Sequence, residues 1–354
     1  MHKTILIMAG GTGGHIFPGL AVAEKMRAAG WRVVWLGNPN GMEAQLVEPM
    51  GYEMQWLEFS GVRGKGLMRK LSLPFDLLRA FWTSYNILKK IKPNVVLGMG
   101  GYISFPCGLM ASFLGYPLVI HEQNSVAGLA NKQLARFAQK IAIGFPNTLP
   151  KGIWTANPVR SEIAAVENPK TRFEKREGAL HVLVLGGSLG ARALNEMMPK
   201  ALSLIDKAHR PNVVHQSGKA HDENVKNAYK QADVFAHCVP FIEDMAGAYE
   251  WADLVICRAG ALTIAELAAS GSASLLIPYP YAVDDHQTGN AQWLVEKGAA
   301  LLVQEKDLLP QTIAKVLHMR RDQLSEMAQK ARALNLEHPD AAGEIASLCA
   351  EVAC

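Results

Sequence analysis

The sequence contains no Cys-x-x-Cys pair, and its five cysteines (Cys107, Cys238, Cys257, Cys349, Cys354) are an odd number without regular spacing. That argues against a disulfide framework and against a zinc site. No glycine turn is followed by Lys-Ser or Lys-Thr, so the P-loop pattern fails. No Asp-x-Asp pair occurs, so no carboxylate couple is evident for a metal bridging a diphosphate; neither a metal nor a cofactor is expected. Charge is scarce, at 19% of residues, and the net charge of +4 is too mild to imply a nucleic-acid partner. With 49% hydrophobic residues, wholesale disorder, collagen and a mainly coiled-coil chain are excluded. Only Ile5 to Ala9 is apolar before the first glycines, which is too short for a signal peptide, so the cytoplasm is the expected compartment. From Pro93 to Ile120 there is no charged residue, enough for a membrane span of about 20. Three prolines and five glycines interrupt it, and two buried strands with a helix between them are expected instead.

What is present is repetition. The chain's 354 residues suit about two domains. Thr4 to Ala9 reads as a buried parallel strand, followed by Gly10-Gly11-Thr12-Gly13-Gly14-His15 and a helix from about Pro18 to Ala29. Further strands are expected at Trp31 to Leu36, Val95 to Gly98 and Pro117 to Ile120. The pattern restarts at His181 to Leu185, with Gly186-Gly187-Ser188-Leu189-Gly190-Ala191 and a helix through Ile205. Strands at Asn212 to His215, Val234 to Cys238, Leu254 to Cys257 and Ser274 to Ile277 complete the second half. Strands alternating with helices mean parallel sheets with crossover helices, here two doubly wound α/β domains facing a cleft. The charged, proline-bearing stretch from Asn157 to Arg176 reads as the hinge.

Glycine turns that open helices present free N–H groups and the positive end of a helix dipole, which suits phosphate. There are three: Gly10 to His15, Gly98 to Ser104, and Gly186 to Ala191. A fourth helix start, Arg258 to Thr263, is equally exposed. The dinucleotide fingerprint fails, because its spacing is absent and the second strand ends at Gly37-Asn38 rather than at a ribose-binding acid. Gly186 to Gly190 also matches G-x-S-x-G, the nucleophile elbow of serine hydrolases, with Asp253 and His286 following in order. That rival leaves the first domain unexplained. A hinged binding protein without catalysis is a third possibility. Glu266, one turn after Thr263, can accept hydrogen bonds from both hydroxyls of a ribose, or act as a capping acid. The run Asp284 to Asn290 reads as a polar loop at the ligand edge of the sheet.

Residues 61–92 hold eight basic residues and one acid, so the whole positive excess of the chain lies there. Leu71, Phe75, Leu78, Trp82 and Tyr85 follow helical spacing, the stripe expected to face a core. Leu73, Leu77, Phe81 and Leu88 fall partly off it. An anionic membrane surface is the partner this greasy, basic patch suggests.

Seven motifs occur in order: Gly10 to His15, Gly100-Gly101-Tyr102-x-Ser104, His121-Glu122-Gln123-Asn124, Asn157-Pro158-Val159-Arg160, Gly186 to Ala191, Cys257-Arg258-x-Gly260 to Thr263, and His286-Gln287-x-x-Asn290-Ala291. Together they closely resemble the MurG family of bacterial cell-wall glycosyltransferases, over essentially the whole chain. The resemblance implies a GT-B fold. The first domain would cover residues 1–158 with the last helix (about 341–354) crossing back to it, and the second residues 159–340. It implies transfer of GlcNAc from UDP-GlcNAc to the 4-hydroxyl of the MurNAc-pentapeptide of lipid I, with inversion, giving lipid II. On the donor side, the Ile242 backbone would meet uracil and Glu266 the ribose. Ser188, Ala261, Leu262, Thr263 and Arg160 would serve the diphosphate, and Gln287 and Asn124 the sugar, with Thr12, Gly13 and Gly14 close by. Gly13, Gly14, His15, Gly101, Tyr102 and Ser104 would receive the acceptor. His15 is the first candidate for general base, the other reading being that it bonds the turn or a phosphate and transfers no proton; His121 and Glu122 are a second pair, either an imidazole oriented by a carboxylate or structural residues. Leu73, Phe75, Leu78, Phe81, Trp82, Arg69, Lys70 and Arg79 would touch the membrane, placing the protein peripherally at the cytoplasmic face, near other cell-wall synthesis proteins. Ala259 stands where members often carry Ser. The stretch from Pro278 to His286 varies in length among members.

Overall fold

The computed structural model describes residues 3–59, 67–187 and 189–353, with residues 67–72 described by their backbone alone. The chain divides into two compact units, residues 1–158 with 340–354, and residues 159–339.

The first unit carries seven strands, β1 (Thr4–Met8), β2 (Arg32–Gly37), β3 (Glu53–Trp56), β4 (Val95–Gly98), β5 (Leu118–Glu122), β6 (Lys140–Ile143) and β7 (Ile153–Trp154). They pair in parallel in the order β3-β2-β1-β4-β5-β6-β7. β1 is wholly buried because it is central and covered on both faces. Its side chains alternate between two cores. Leu6 and Met8 pack with Ile87, Leu88, Ile91, Cys107 and Ala111. Ile5, Ile7 and Ala9 pack on the opposite face with Ile16, Val22, Ala23 and Met26 of α1 (Gly13–Ala28). The C-terminal helix Ala341–Val352 adds Ala342, Ile345 and Cys349 to that second face. Lys25 bonds Asp340 at 2.9 Å and Lys140 bonds Glu351 at 2.7 Å.

α1 starts at Gly13, on the glycine turn itself, not at Pro18. Pro18 is its sixth residue, inside the helix, where its missing N–H leaves the Gly14 carbonyl without its usual donor. The uncharged stretch forms β4, the helix α3 (Ser104–Phe113) and β5. No helix among the described residues is long and apolar enough to cross a membrane.

Before α3 in the chain runs α2 (Leu67–Ile91), and its faces reverse the expectation. Phe75, Leu78 and Trp82 are 76%, 67% and 67% exposed, so these members of the expected core stripe face outward; Tyr85 is half-buried, and the side chain of Leu71 lies outside the described residues. Ala80, Ser84, Ile87, Leu88 and Ile91 are buried instead, with Leu73 and Leu77 packed against the same core. Phe81 lies edge-on to Phe105, ring centroids 6.3 Å apart. Both stripes have the period of a helix, and the buried one wins because small Ala80 and Ser84 let the backbone approach its neighbours.

The second unit carries β8 (His181–Leu185), β9 (Asn212–Gln216), β10 (His237–Val239), β11 (Leu254–Cys257), β12 (Ser274–Leu276) and β13 (Leu301–Leu302), all parallel in the order β10-β9-β8-β11-β12-β13. α4 (Arg192–Ser203) follows β8, and α5 (Ala261–Ser270) follows β11. β10 starts three residues later than the expected strand, since Asp233 takes a left-handed φ of 53° and the chain reaches the sheet only at His237. The expected hinge residues are folded. Short helices Ser161–Ala164 and Pro169–Glu174 lie within this unit, and buried Arg172 donates to the Ser270 and Gly271 carbonyls at 3.0 and 2.6 Å. The expected polar loop is α6 (His286–Val295) from His286 onward.

In each sheet the strand order reverses once, between β1 and β4 and between β8 and β11. Those are the switch points where open α/β sheets bind ligands. All four glycine-bearing turns follow one of these four strands.

Candidate active site

In the first unit the turns after β1 and β4 touch. Gly101, at φ +82°, lies so near the first turn that a Cβ would sit 2.5 Å from the Gly10 carbonyl oxygen. A Cβ on Gly100 would sit 3.0 Å from the His15 ring. Glycine is therefore required at both positions on steric grounds. Thr12 caps α1 without a side-chain bond, and no acid stands in the first turn, so the N–H groups of Gly13 and Gly14 open the helix without intrahelical acceptors. Gly11 N–H is taken: it donates to buried Glu43 at 3.1 Å. Glu43 escaped the sequence reading. It lies 32 residues from that turn on the helix Met42–Leu46, and no motif marks it.

His15 and exposed Tyr102 border this junction. Ser104 does not offer a hydroxyl to a ligand. It is fully buried and donates to the Met8 and Gly100 carbonyls at 3.0 and 2.5 Å, which makes it a clamp on the second turn. His121 and Glu122 are not an imidazole–carboxylate pair. Adjacent strand residues face opposite sides of the sheet. Glu122 accepts from the backbone N–H groups of Asn124 and Gly128 and from the Asn131 amide, at 3.0, 3.0 and 2.9 Å. It shapes the loop after β5, Asn124 included. His121 is fully buried, bonded to the Ala156 carbonyl and to Gln123, and burial pushes its imidazole down to about 4. Neither residue is placed to accept a proton from a ligand. Gln123, which sequence reading left without a role, is the one that reaches His15, at 3.0 Å.

In the second unit the centre is Glu266 on α5. It accepts from the Tyr249 hydroxyl at 3.0 Å and pairs with Arg160 at 3.4 Å. Burial pushes its carboxyl above the usual range, opposed by Arg160 and by the Tyr249 bond. Gly260 caps α5 with no side chain, leaving the first-turn N–H groups at Ala261, Leu262 and Thr263 without intrahelical acceptors. The Gln287 oxygen accepts from Ala259 N–H at 3.2 Å and Tyr279 N–H at 2.9 Å, while buried Asn290 donates to the Ala259 carbonyl at 3.1 Å. α6 thus holds the turn after β11, with the Gln287 amide N–H groups as its remaining polar end. Arg258, bonded to the Ile277 and Pro278 carbonyls at 3.2 Å each and paired with Glu305, braces the same turn. Ile242, whose backbone was expected to meet uracil, donates its N–H to the Gln216 side-chain oxygen at 3.0 Å.

Ser188, and with it the nucleophile of the hydrolase alternative, lies outside the described residues, as do the side chains of Arg69 and Lys70. The partners that alternative needs are not assembled. Buried Asp253 precedes β11, level with His181, and accepts from His181 N–H and Arg321. His181 stands five positions before Gly186, about 16 Å along the sheet. His286 is bonded to the Val283 carbonyl at 2.7 Å. Among the described residues no group of three His, Cys, Asp or Glu side chains is placed to hold a metal ion.

Two all-parallel sheets in two units, each with glycine-bearing turns at its switch point, are the architecture of a GT-B glycosyltransferase. Residues 5–143 match the glycosyltransferase family 28 N-terminal domain, and residues 181–345 its C-terminal domain. The chain is 61% identical over 353 residues, and 100% of both chains, to the UDP-N-acetylglucosamine–N-acetylmuramyl-(pentapeptide) pyrophosphoryl-undecaprenol N-acetylglucosamine transferase of Dechloromonas aromatica. It is 58% identical to the enzyme of that name from Aromatoleum aromaticum, over 99% of this chain and 98% of that one. The crystal structure of Acinetobacter baumannii MurG superposes with a TM-score of 0.86 at 41% identity, over 99% of each chain. The chain belongs to the MurG family.

Proposed function

We propose that this protein moves GlcNAc from UDP-GlcNAc to the 4-hydroxyl of the MurNAc-pentapeptide of lipid I, with inversion, to form lipid II. The observation that carries this reading is the second switch point. There Glu266 stands one turn into α5, braced by Tyr249 and Arg160, beneath a helix N-terminus capped only by glycine. A carboxylate so placed accepts from ribose hydroxyls while the helix end faces a diphosphate. Full-length relatives bear the corresponding name.

The acceptor oxygen attacks the anomeric carbon from the side opposite UDP. The leaving diphosphate gains negative charge, which the α5 N–H groups and Arg160 offset. His15 takes the hydroxyl proton. The lipid diphosphate rests on the N-terminus of α1 and the turn bearing Gly101 and Tyr102. The outward face of α2, with Phe75, Leu78, Trp82 and Arg79, seats the protein peripherally on the cytoplasmic face of the membrane. Arg79 is exposed and bonded to Glu58 at 3.1 Å.

The test is transfer itself. Purified protein given UDP-GlcNAc and a lipid I analogue should release one UDP per disaccharide lipid formed. Failure to form that product, or equal turnover with ADP-GlcNAc, would overturn the reading.

A further inference from the structure

The proton on His15 is set by a chain of hydrogen bonds that begins at a carbonyl. The Ala156 oxygen can only accept, so His121 Nε2, 3.2 Å away, carries a proton. Burial keeps the His121 ring neutral, so its Nδ1 keeps a lone pair. The Gln123 amide nitrogen lies 3.1 Å from that Nδ1 and 2.8 Å from the Met99 carbonyl oxygen. Both are acceptors, which decides the orientation of the amide. Reversed, its oxygen would face two lone pairs. The Gln123 oxygen therefore faces His15 Nδ1 at 3.0 Å. It can only accept, so His15 carries its proton on Nδ1 and its lone pair on Nε2.

The surroundings hold this chain in place. Ala156 takes a left-handed φ of 58°, a conformation that costs a residue with a Cβ, and in it aims its carbonyl at His121. The Asn157 amide donates to the Gln123 backbone carbonyl at 2.9 Å. Gly100 lies against the His15 ring, which a Cβ there would approach to 3.0 Å. His15 Nε2 has no hydrogen-bond partner among the described residues.

We propose that Gln123 and His121 are positioning residues that lock His15 in the Nδ1-protonated tautomer, presenting Nε2 to the proton of the attacking sugar hydroxyl. This rests on the reading of His15 as the base. In the step, the acceptor O–C1 bond forms and the C1–O bond to UDP breaks. The electron pair leaves on the diphosphate oxygen, and the hydroxyl proton passes to Nε2. The resulting imidazolium keeps its Nδ1–H on the Gln123 oxygen, whose dipole steadies the new charge.

The experiment reads the tautomer apart from turnover. Protein labelled with 15N-histidine gives long-range 1H–15N spectra at about pH 8.5, where an ordinary imidazole is neutral. The His15 signals are identified by their loss in His15→Asn, and they should show a protonated Nδ1 and a bare Nε2. Gln123→Met keeps the length and removes both polar ends. It should mix the two tautomers and lower kcat ~10–100-fold while KM for UDP-GlcNAc stays within about twofold. His121→Asn, whose side-chain oxygen can stand near the former Nδ1, should retain the tautomer and most of kcat; His121→Leu should lose both. Thermal melts identify the folded variants to be compared. A His15 that remains Nδ1-protonated in folded Gln123→Met overturns the relay, whatever kcat does. A mixed tautomer with unchanged kcat overturns His15 as the base and leaves the relay's geometry intact.

Discussion

Replacing Glu266 by alanine separates ligand binding from folding at one residue. Its carboxylate accepts from the hydroxyl of Tyr249, which is fully buried. Truncation leaves that hydroxyl without its acceptor, a loss of about 1–3 kcal/mol in stability. For a unit of this size each kcal/mol is worth about 2–4 °C, so the melting transition of the second unit should fall by several degrees. The ligand term is larger. Two ribose hydroxyls donating to a charged acceptor are worth at least about 1.5 kcal/mol each, so UDP affinity should fall by ~100-fold or more. Glu266→Gln is the control. It keeps an acceptor for Tyr249 and so most of the stability, but without the charge its affinity should drop by about tenfold. Because burial raises the Glu266 carboxyl, wild-type UDP affinity should weaken as pH falls toward that raised value, while the Gln variant stays flat. Titration calorimetry with UDP and differential scanning calorimetry read both quantities. An alanine variant that binds UDP within about threefold of wild type would refute the ribose assignment. An unchanged melt would refute the account of Tyr249.

Two further outcomes are expected. Burial pushes His121 in the first unit and His215 in the second down to about 4, so both stay neutral when folded, whereas the unfolded chain protonates them below about 6.5. The stability this supports is complete above that pH and is lost as pH falls toward 4, at about 1.4 kcal/mol per pH unit for each ring; flat denaturant midpoints between about 6.5 and 4.5 would contradict it. On α2, Phe75→Glu with Trp82→Glu replaces two exposed aromatics and should leave UDP binding intact. It should cut binding to phosphatidylglycerol vesicles by at least about tenfold, and undiminished vesicle binding would remove this face from the membrane contact.

The parts of this fold that were legible in the sequence are those written locally. A glycine turn between an apolar run and a helix punctuates the chain within a dozen residues, so β1, β4, β8 and β11 and the helices after them stood out. Strands such as β7 and β13, two residues long, carry no pattern to find. The neighbours of each strand were not legible either. Only the observed orders put β4 beside β1 and β11 beside β8, turning four separate glycine turns into two pairs, one at each switch point. α2 shows a different limit. A helical period marks two stripes equally well, and the choice between them belongs to the surface that receives the helix. Small Ala80 and Ser84 were the local sign, weaker to the eye than Phe75 and Trp82. At the site, the misread pair His121 and Glu122 was avoidable, since alternation along β5 already sends neighbours to opposite faces. The bonds that matter most lie beyond any such rule. His15 meets Gln123 across 108 residues, and Arg160 meets Glu266 across 106. A motif can announce that a histidine stands on a phosphate turn. Which of its two nitrogens bears the proton depends on a glutamine held by a buried ring and a strained alanine's carbonyl, and only the folded chain brings those together.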